Sequence, residues 1–421
     1  MQRVIFHIDV NSAFLSWEAV YRLQHLGGSL DLRTVPSVVG GDMSKRHGII
    51  LAKSIPAKKY HIQTGEPLTD ALRKCPGLVV VPPNYSLYEK SSKAFLNILR
   101  KYSPTVEQYS IDEAFMDMTG TEKLFGSPVI AATRIKDEIR DTLGFTVNVG
   151  ISSNKLLAKM ASDFKKPDLV HTLFPHEIEQ KMWHLPVRDL FFVGAATEKK
   201  LHSMGIKTIG ELARTDLDII KSKMKKQGQL IWEFANGIDA VVVEKEPAAN
   251  KGYGNSTTIA FDVTDSGTAK LVLLSLAETV ARRLRKDHVK IDVISVGIRF
   301  FDLSYVSHQK CIENPTNITD EIHKVACKLF DEMWDGTPIR HLGLQTAGVH
   351  EDNEARQMSL FDTMDYEKHE KMDKAIDKIR ERFGQDAIKR ASFTENEKLD
   401  HLGGGVSREK RTVDYSKEVV E

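Results

Sequence analysis

Apolar and polar positions follow two rhythms along this chain, and where one gives way to the other an element is predicted. The run Val4-Ile5-Phe6-His7-Ile8-Asp9 is apolar and rich in strand formers, the mark of a buried strand. From residue 12 to about 27, Phe14, Trp17, Val20 and Tyr21 recur at helical spacing, and Gly27-Gly28 ends the helix. Short strands are predicted over Val35 to Val39 and Gly48 to Ala52, around a Gly-Gly-Asp turn. A proline-opened helix follows over Pro67 to Lys74, then a strand over Leu78 to Val81 and an amphipathic helix over Tyr85 to Tyr102. Val106 to Met118 reads as strand, turn and strand, and Pro128 to Leu143 as a helix. Thr146 to Ile151 is a strand leading into a helix at Asn154. Strands and helices mixed in this way around one sheet give an α+β pattern.

After Pro167 the texture shifts to short helices, and Asn236 to Gly254, polar with Gly237, Pro247, Gly252 and Gly254, reads as a linker. Beyond it the periodicity predicts a strand over Ser256 to Phe261, a helix over Ala269 to Lys286 and a strand over Val289 to Phe301. A helix over Thr319 to Met333 and a strand over Ile339 to Val349 complete a ferredoxin-like β-α-β-β-α-β pattern. A second, acidic linker precedes a helix over Tyr366 to Arg382. Asn396 to Glu421, polar with three consecutive glycines, reads as a disordered tail.

With 421 residues the chain is too long for one core, so two to four domains are expected. No apolar run approaches the roughly 18 residues of a membrane span, and the N-terminus lacks a signal-peptide layout, so a cytoplasmic protein is expected. Cys75, Cys311 and Cys327 are far apart and the histidines lack ligand spacing, which argues against a zinc site or a disulfide framework. A net charge of +1 argues against a nucleic-acid partner only if the total is taken alone. Basic clusters at Lys165-Lys166, Lys221 to Lys226, Arg282 to Lys286 and Lys389-Arg390 fit a groove that tracks phosphates, although a charge run is also an ordinary solvated face.

Asp9 closes the first strand, and Asp112 and Glu113 sit together in Tyr109-Ser110-Ile111-Asp112-Glu113-Ala114-Phe115. Neighbouring carboxylates on an ideal strand point to opposite faces, so their convergence requires a hairpin end or bulge. Three converging carboxylates repel one another unless a cation is bound, and hard oxygens suit Mg²⁺. An acidic pair closing an apolar run is equally at home as a solvated strand end.

The segments Asp9-Val10-Asn11-Ser12-Ala13-Phe14, Ser110-Ile111-Asp112-Glu113-Ala114, and Gly150-Ile151-Ser152-Ser153-Asn154-Lys155-Leu156-Leu157-Ala158-Lys159-Met160-Ala161-Ser162 occur in that order. Together they resemble the Y-family, or translesion, DNA polymerases of the bacterial DinB/UmuC branch, from about residue 3 to about 393. The resemblance implies an α+β multidomain right hand of palm, fingers and helical thumb, plus a ferredoxin-like little finger. It places the palm at 1–11 and 78–166, the fingers at 12–77 and the thumb at 167–235. A linker at 236–254 precedes the little finger at 255–350. A linker at 351–365 then precedes a C-terminal helical extension at 366–393 and the tail at 394–421. It implies an error-prone, template-directed polymerase that bypasses lesions by joining a dNTP to a primer 3′-hydroxyl. Two Mg²⁺ ions would be held by Asp9, Asp112, Glu113 and the Val10 carbonyl.

The same resemblance assigns Phe14 as the steric gate against ribonucleotides, and Lys58 and Lys166 to the triphosphate. At Lys58 the family more often has arginine, and at Ile55 tyrosine. Lys155 and Lys159 read as structural or DNA-facing. Val187 to Ala213 resembles a helix-hairpin-helix segment in which Gly194 would meet a DNA phosphate, with Phe192 standing where the family has the first hairpin glycine. Arg282, Arg283, Arg285, Lys286 and Lys290 are expected to grip the DNA. Gln357-Met358-Ser359-Leu360-Phe361-Asp362 resembles the peptide that binds the bacterial sliding clamp, with Gln357, Leu360 and Phe361 as anchors. The expected partners are primer-template DNA, dNTP and the clamp, with no membrane, for a protein acting as a monomer. Two rivals remain at this point: a catalytically silent scaffold of the same fold, and a two-metal nuclease or phosphatase. The extension ending at Arg390 leans toward the UmuC-type arrangement.

Overall fold

The computed structural model describes residues 3–43, 46, 48–246, 248–352, 365–394, 399 and 402. Numbered in chain order, its strands are β1 (Ile5–Val10), β2 (Ser37–Gly40), β3 (Ile50–Lys53), β4 (Val79–Val81), β5 (Val106–Gln108), β6 (Glu113–Asp117), β7 (Val147–Ser152), β8 (Val170–Thr172), β9 (Gly254–Val263), β10 (Val289–Phe300), β11 (Tyr305–Thr316) and β12 (Ile339–Glu351). They form three sheets.

The first sheet has the order β5-β6-β1-β7-β8, antiparallel except for the β7–β8 pair. Its central strands β1 and β7 are buried on both faces, which is why they read as nearly continuous apolar runs. On β1 the even positions Phe6, Ile8 and Val10 enter the main core with Ala114 and Met116 of β6 and Val147, Val149 and Ile151 of β7. The helices Ala13–His25, Tyr85–Leu99 and Pro128–Leu143 complete that side. The odd positions face the helix Lys155–Ser162, where Ile5 meets Phe115 and Ala158. This helix lies so close to β7 that a Cβ on Gly150 would stand 1.9 Å from the Ala158 carbonyl oxygen and 2.5 Å from the Ser162 nitrogen. β8 extends the sheet past residue 166, where a new domain was expected to begin.

The small sheet β3-β2-β4 carries its own core of Val38, Ile50, Ala57, Ile62, Leu68 and Leu78. β4 belongs to it, although the sequence placed residues 78–81 with the first sheet. Short helices between 178 and 235 enclose a third core around Leu201, Leu212 and Ile231.

The last sheet, β11-β10-β12-β9, is wholly antiparallel and packs one face on the helices Ser266–Lys286 and Thr319–Met333. With β11 between β10 and the second helix, this is the ferredoxin-like pattern. β11 is the strand that the sequence pattern missed. The helix Tyr366–Phe383 docks on this domain through buried ion pairs. Arg285 bonds Asp373 at 3.0 Å and Asp377 at 2.6 Å, and Glu278 lies 3.5 Å from Arg380 and 2.9 Å from Arg390. No helix among the described residues is long and apolar enough to cross a membrane.

Candidate active site

Asp9 and Glu113 are direct cross-strand partners, so their side chains emerge side by side on the same face of the first sheet. Asp112 joins them from the hairpin end before β6. There the Tyr109 and Ser110 amides both donate to the Glu113 carbonyl, and the Val10 amide donates to the Asp112 carbonyl. The required bend therefore exists. Ser110 fixes it: its hydroxyl donates to Asp112 Oδ1 at 2.7 Å and accepts from the Asp112 and Glu113 amides. All three side chains are part-exposed rather than sealed in the core.

The charges around them are matched. The Lys166 ammonium donates to Asp9 and Asp163, and the Lys159 ammonium to Glu113. Glu113 Oε2 also lies 3.0 Å from His7 Nε2, and His7 Nδ1 lies 2.7 Å from the Ser162 hydroxyl. Burial holds the His7 imidazole below its usual value. A neutral ring then donates Nε2–H to Glu113, while its Nδ1 side rests on the Ser162 hydroxyl, which also bonds the Lys159 carbonyl at 2.7 Å. Burial pushes the Asp9 carboxyl up to about 6 against the pull of Lys166. Burial works the same way on Glu113, but the hydrogen bonds from His7 and Lys159, with the lysine's charge, outweigh it and hold the carboxyl at about 2. Burial also opposes the charge of Lys166, which Asp9 and Asp163 nevertheless raise above the usual lysine range.

Each carboxylate keeps one oxygen without a hydrogen bond among the described residues. This hard-oxygen set fits a divalent cation. It is not a closed cage, because no three acidic, histidine or cysteine ligands among the described residues converge tightly enough to hold an ion alone. That matches Mg²⁺, which takes one or two carboxylates and completes its shell with water and phosphate oxygens.

Above the carboxylates opens a cleft of about 500 Å³ lined by Asp9, Val10, Phe14, Lys58, Asp112 and Lys166, among others. Of the expected metal and nucleotide residues all but Glu113 line this cleft, and Glu113 stands beside Asp9 on the neighbouring strand. Lys58 ends the helix Ile55–Lys58, whose first turn is capped by the Ser54 hydroxyl. Lys53 and Thr64 also line the cleft and were not anticipated. Burial lowers the Lys53 ammonium, which donates to the Ile62 carbonyl at 2.6 Å.

The sequence reading passed over His7 and Ser162, and it read Lys159 as structural or DNA-facing, whereas its ammonium bonds Glu113. His7 carried a signal, two positions before Asp9 on the same strand face. Lys155, by contrast, pairs with Glu107 at 2.6 Å. Lys159 is further enclosed by the rings of Tyr109 and Phe191, at 5.3 and 5.4 Å.

Gly194 caps the helix Ala195–Ser203 with an extended backbone, and Phe192 beside it takes a positive φ of 69°. The hairpin keeps the left-handed turn that a glycine would favour, with a half-exposed phenylalanine in its place. The expected DNA contacts of the 282–286 stretch need correction. The Arg285 side chain is only 7% exposed, its guanidinium spent on Asp373, Asp377 and the Asn317 carbonyl. Arg282 bonds Gln385, Arg283 bonds the Gly254 carbonyl at 3.0 Å, and Lys290 bonds the Asp352 carbonyl at 2.7 Å. Lys286 is exposed. Gln357, Leu360 and Phe361 lie outside the described residues.

A sheet bearing paired carboxylates, a nucleotide-sized cleft, a small lysine-bearing sheet, a helical unit and a ferredoxin-like domain together define a right-handed DNA-directed DNA polymerase with a little finger. The impB/mucB/samB family profile matches residues 8–163, the C-terminal domain of that family matches 250–360, and the DNA polymerase-iota thumb domain matches 188–239. DNA polymerase IV of Clostridium acetobutylicum is 47% identical over 397 residues, 94% of this chain and 100% of the relative. DNA polymerase IV of Acetivibrio thermocellus is 37% identical over 406 residues, 96% of this chain and 100% of the relative. DNA polymerase IV 1 of Bacillus subtilis is 33% identical over 410 residues, 97% of each chain. A solved Y-family DNA polymerase chimera superposes with a TM-score of 0.70 at 22% identity, covering 82% of this chain and 99% of that one. The chain belongs to the DNA polymerase IV branch of the Y family, the low-fidelity polymerases of translesion synthesis.

Proposed function

We propose that the cleft joins a primer 3′-hydroxyl to the α-phosphate of a dNTP, with Asp9, Asp112, Glu113 and the Val10 carbonyl holding two Mg²⁺ ions. Bound there, the ions would lower the pKa of the attacking hydroxyl and neutralise the phosphates. The protein's own part is positioning. Lys58 and Lys166 draw the triphosphate into the cleft, and Lys166 exchanges Asp9 for phosphate oxygens as the nucleotide arrives. Phe14 stands where a ribose 2′-hydroxyl would need room. The observation that carries this reading is the cross-strand pairing of Asp9 with Glu113 beside Asp112, under a cleft that also holds Phe14, Lys58 and Lys166. A silent scaffold has no use for free carboxylate oxygens at such a cleft, and a nuclease or phosphatase has none for the gate. Primer extension with single dNTPs tests it: wild type extends only with Mg²⁺ and most efficiently with the templated nucleotide, whereas hydrolysis without extension overturns the reading.

DNA binding is assigned to the open face of the last sheet instead of the helix end at 282–286. There Gln309, Ser295 and Gln345 form one polar row across three strands, with Arg299 two residues beyond Gly297 on the same face. Gly194 at the hairpin supplies a backbone contact to phosphate. Gln357, Leu360 and Phe361 recruit the enzyme, a cytoplasmic monomer, to the bacterial sliding clamp. Calorimetry of a peptide spanning Arg356 to Asp362 against that clamp measures this, and absence of binding refutes it.

A further inference from the structure

Glu18 is a carboxylate with no exposure to solvent, deep in the main core on the helix Ala13–His25. A buried carboxylate is costly unless both its oxygens are matched, and apolar residues would fill the same space more cheaply. One oxygen lies 3.4 Å from Arg22 Nε, one helical turn away. The other accepts the Tyr88 hydroxyl at 3.2 Å, from the helix Tyr85–Leu99. Tyr88 is itself fully buried, and its ring stacks flat on Phe14, with centroids 4.4 Å apart and planes 7° from parallel. Tyr85 meets Phe14 edge-on at 6.1 Å and Trp17 lies tilted at 5.9 Å.

We propose that Glu18 is a positioning residue for sugar discrimination: by fixing the Tyr88 hydroxyl it fixes the ring behind Phe14, and so how far Phe14 projects into the cleft. The inference rests on the reading of Phe14 as the gate. Stacked rings slide against one another at little cost, so the stack alone does not set the lateral position of Phe14. A hydrogen bond has a direction and a length, and it does. Exclusion by contact is steep, and a gate that recedes by about 0.5 Å admits a hydroxyl it would otherwise reject.

The test is single-turnover insertion of matched dNTP and rNTP by the full chain, read as the ratio of their efficiencies. Phe14→Ala should lower that ratio by about 10²–10³-fold. Glu18→Ala and Tyr88→Phe should each lower it about three- to tenfold, the range typical of one hydrogen bond, while dNTP insertion changes less than the ratio does. The double variant should be no worse than the poorer single one, since both remove the same bond. Glu18→Gln keeps an acceptor and should retain most of the discrimination. Equal losses for dNTP and rNTP, or losses that multiply in the double variant, make Glu18 a packing residue and overturn the proposal. If Glu18→Ala does not fold, an unchanged ratio in Tyr88→Phe overturns it. If Phe14→Ala leaves the ratio unchanged, the gate reading itself falls and this proposal with it; a response to Phe14→Ala without one to Glu18 or Tyr88 removes only the proposal.

Discussion

Two regions of this molecule gather opposite charges and use them in opposite ways. Under the cleft, Asp9, Asp112 and Glu113 meet Lys159 and Lys166, and Asp9 and Asp112 line the open space above them. On the last domain, Arg285, Arg380 and Arg390 meet Asp320, Asp373, Asp377 and Glu278 and close on them. The residue types are the same. What separates a reactive cluster from a structural one is the cavity in front of its acceptors, since Glu278 also keeps an unbonded oxygen but one sealed inside the fold. The first set can exchange its partners for cations and phosphates, whereas the second can only come apart.

The largest effect should fall on the cleft. Asp112→Ala or Glu113→Ala should cut single-turnover incorporation on the order of 10³-fold or more, about 4 kcal/mol of transition-state stabilisation, with primer-template affinity nearly kept. Incorporation near wild type in either variant removes the contrast at its root.

Next comes the closed set. Arg285→Ala leaves Asp373 buried and unpaired, and should cost about 3–5 kcal/mol in thermal or urea unfolding. Lys286→Ala, one residue on but exposed, should stay within about 0.5 kcal/mol. Equal stabilities for the two variants would mean that the Arg285 pairs are decoration.

The third effect has the opposite sign. In metal-free protein Asp9 stands at about 6 against 3.8 unfolded, so the fold resists its ionised form. That penalty is absent below about pH 4, grows as pH rises through 6 and is complete above it. Asp9→Asn should therefore raise the melting temperature at pH 8, by a stability on the order of 1–3 kcal/mol, and the gain should vanish near pH 4. Glu113 runs the other way. Held at about 2 against 4.5, it contributes stability above pH 4.5 that is lost as pH falls toward 2. Destabilisation by Asp9→Asn at pH 8 would show the cleft to be as self-satisfied as the closed set.

The smallest effect is at the rim. Lys58→Arg supplies the two-pronged donor that suits phosphate and should lower the KM for dNTP about threefold. An unmoved KM places the triphosphate grip on Lys166 and Lys53 instead.

These two regions also mark what a sequence discloses. Asp9, Asp112 and Glu113 were readable because strands buried on both faces leave long apolar runs in which a carboxylate stands out. The hairpin bend was deducible from their adjacency. β11 was not readable: it is an edge strand, Tyr305 to Thr316, with most positions in solvent, so no alternation marks it. Arg285 looked like a DNA contact because its partners, Asp373 and Asp377, lie some ninety residues on and local pattern carries no sign of them. Lys159 was set aside for the same reason: its partnership with Glu113 exists only once the helix Lys155–Ser162 crosses the sheet.

That crossing turns on a missing atom. Because Gly150 has no side chain, the helix bearing Lys159 and Ser162 sits directly on the strand beside Asp9. A single methyl group there would collide with helix backbone, which cannot rotate aside as a side chain would. The helix would have to lift, carrying off both groups that steady Glu113 and His7. Gly150→Ala should thus behave as an active-site lesion although it touches no reacting atom. The chemistry of this sheet thus depends on the smallness of one residue that takes no part in it.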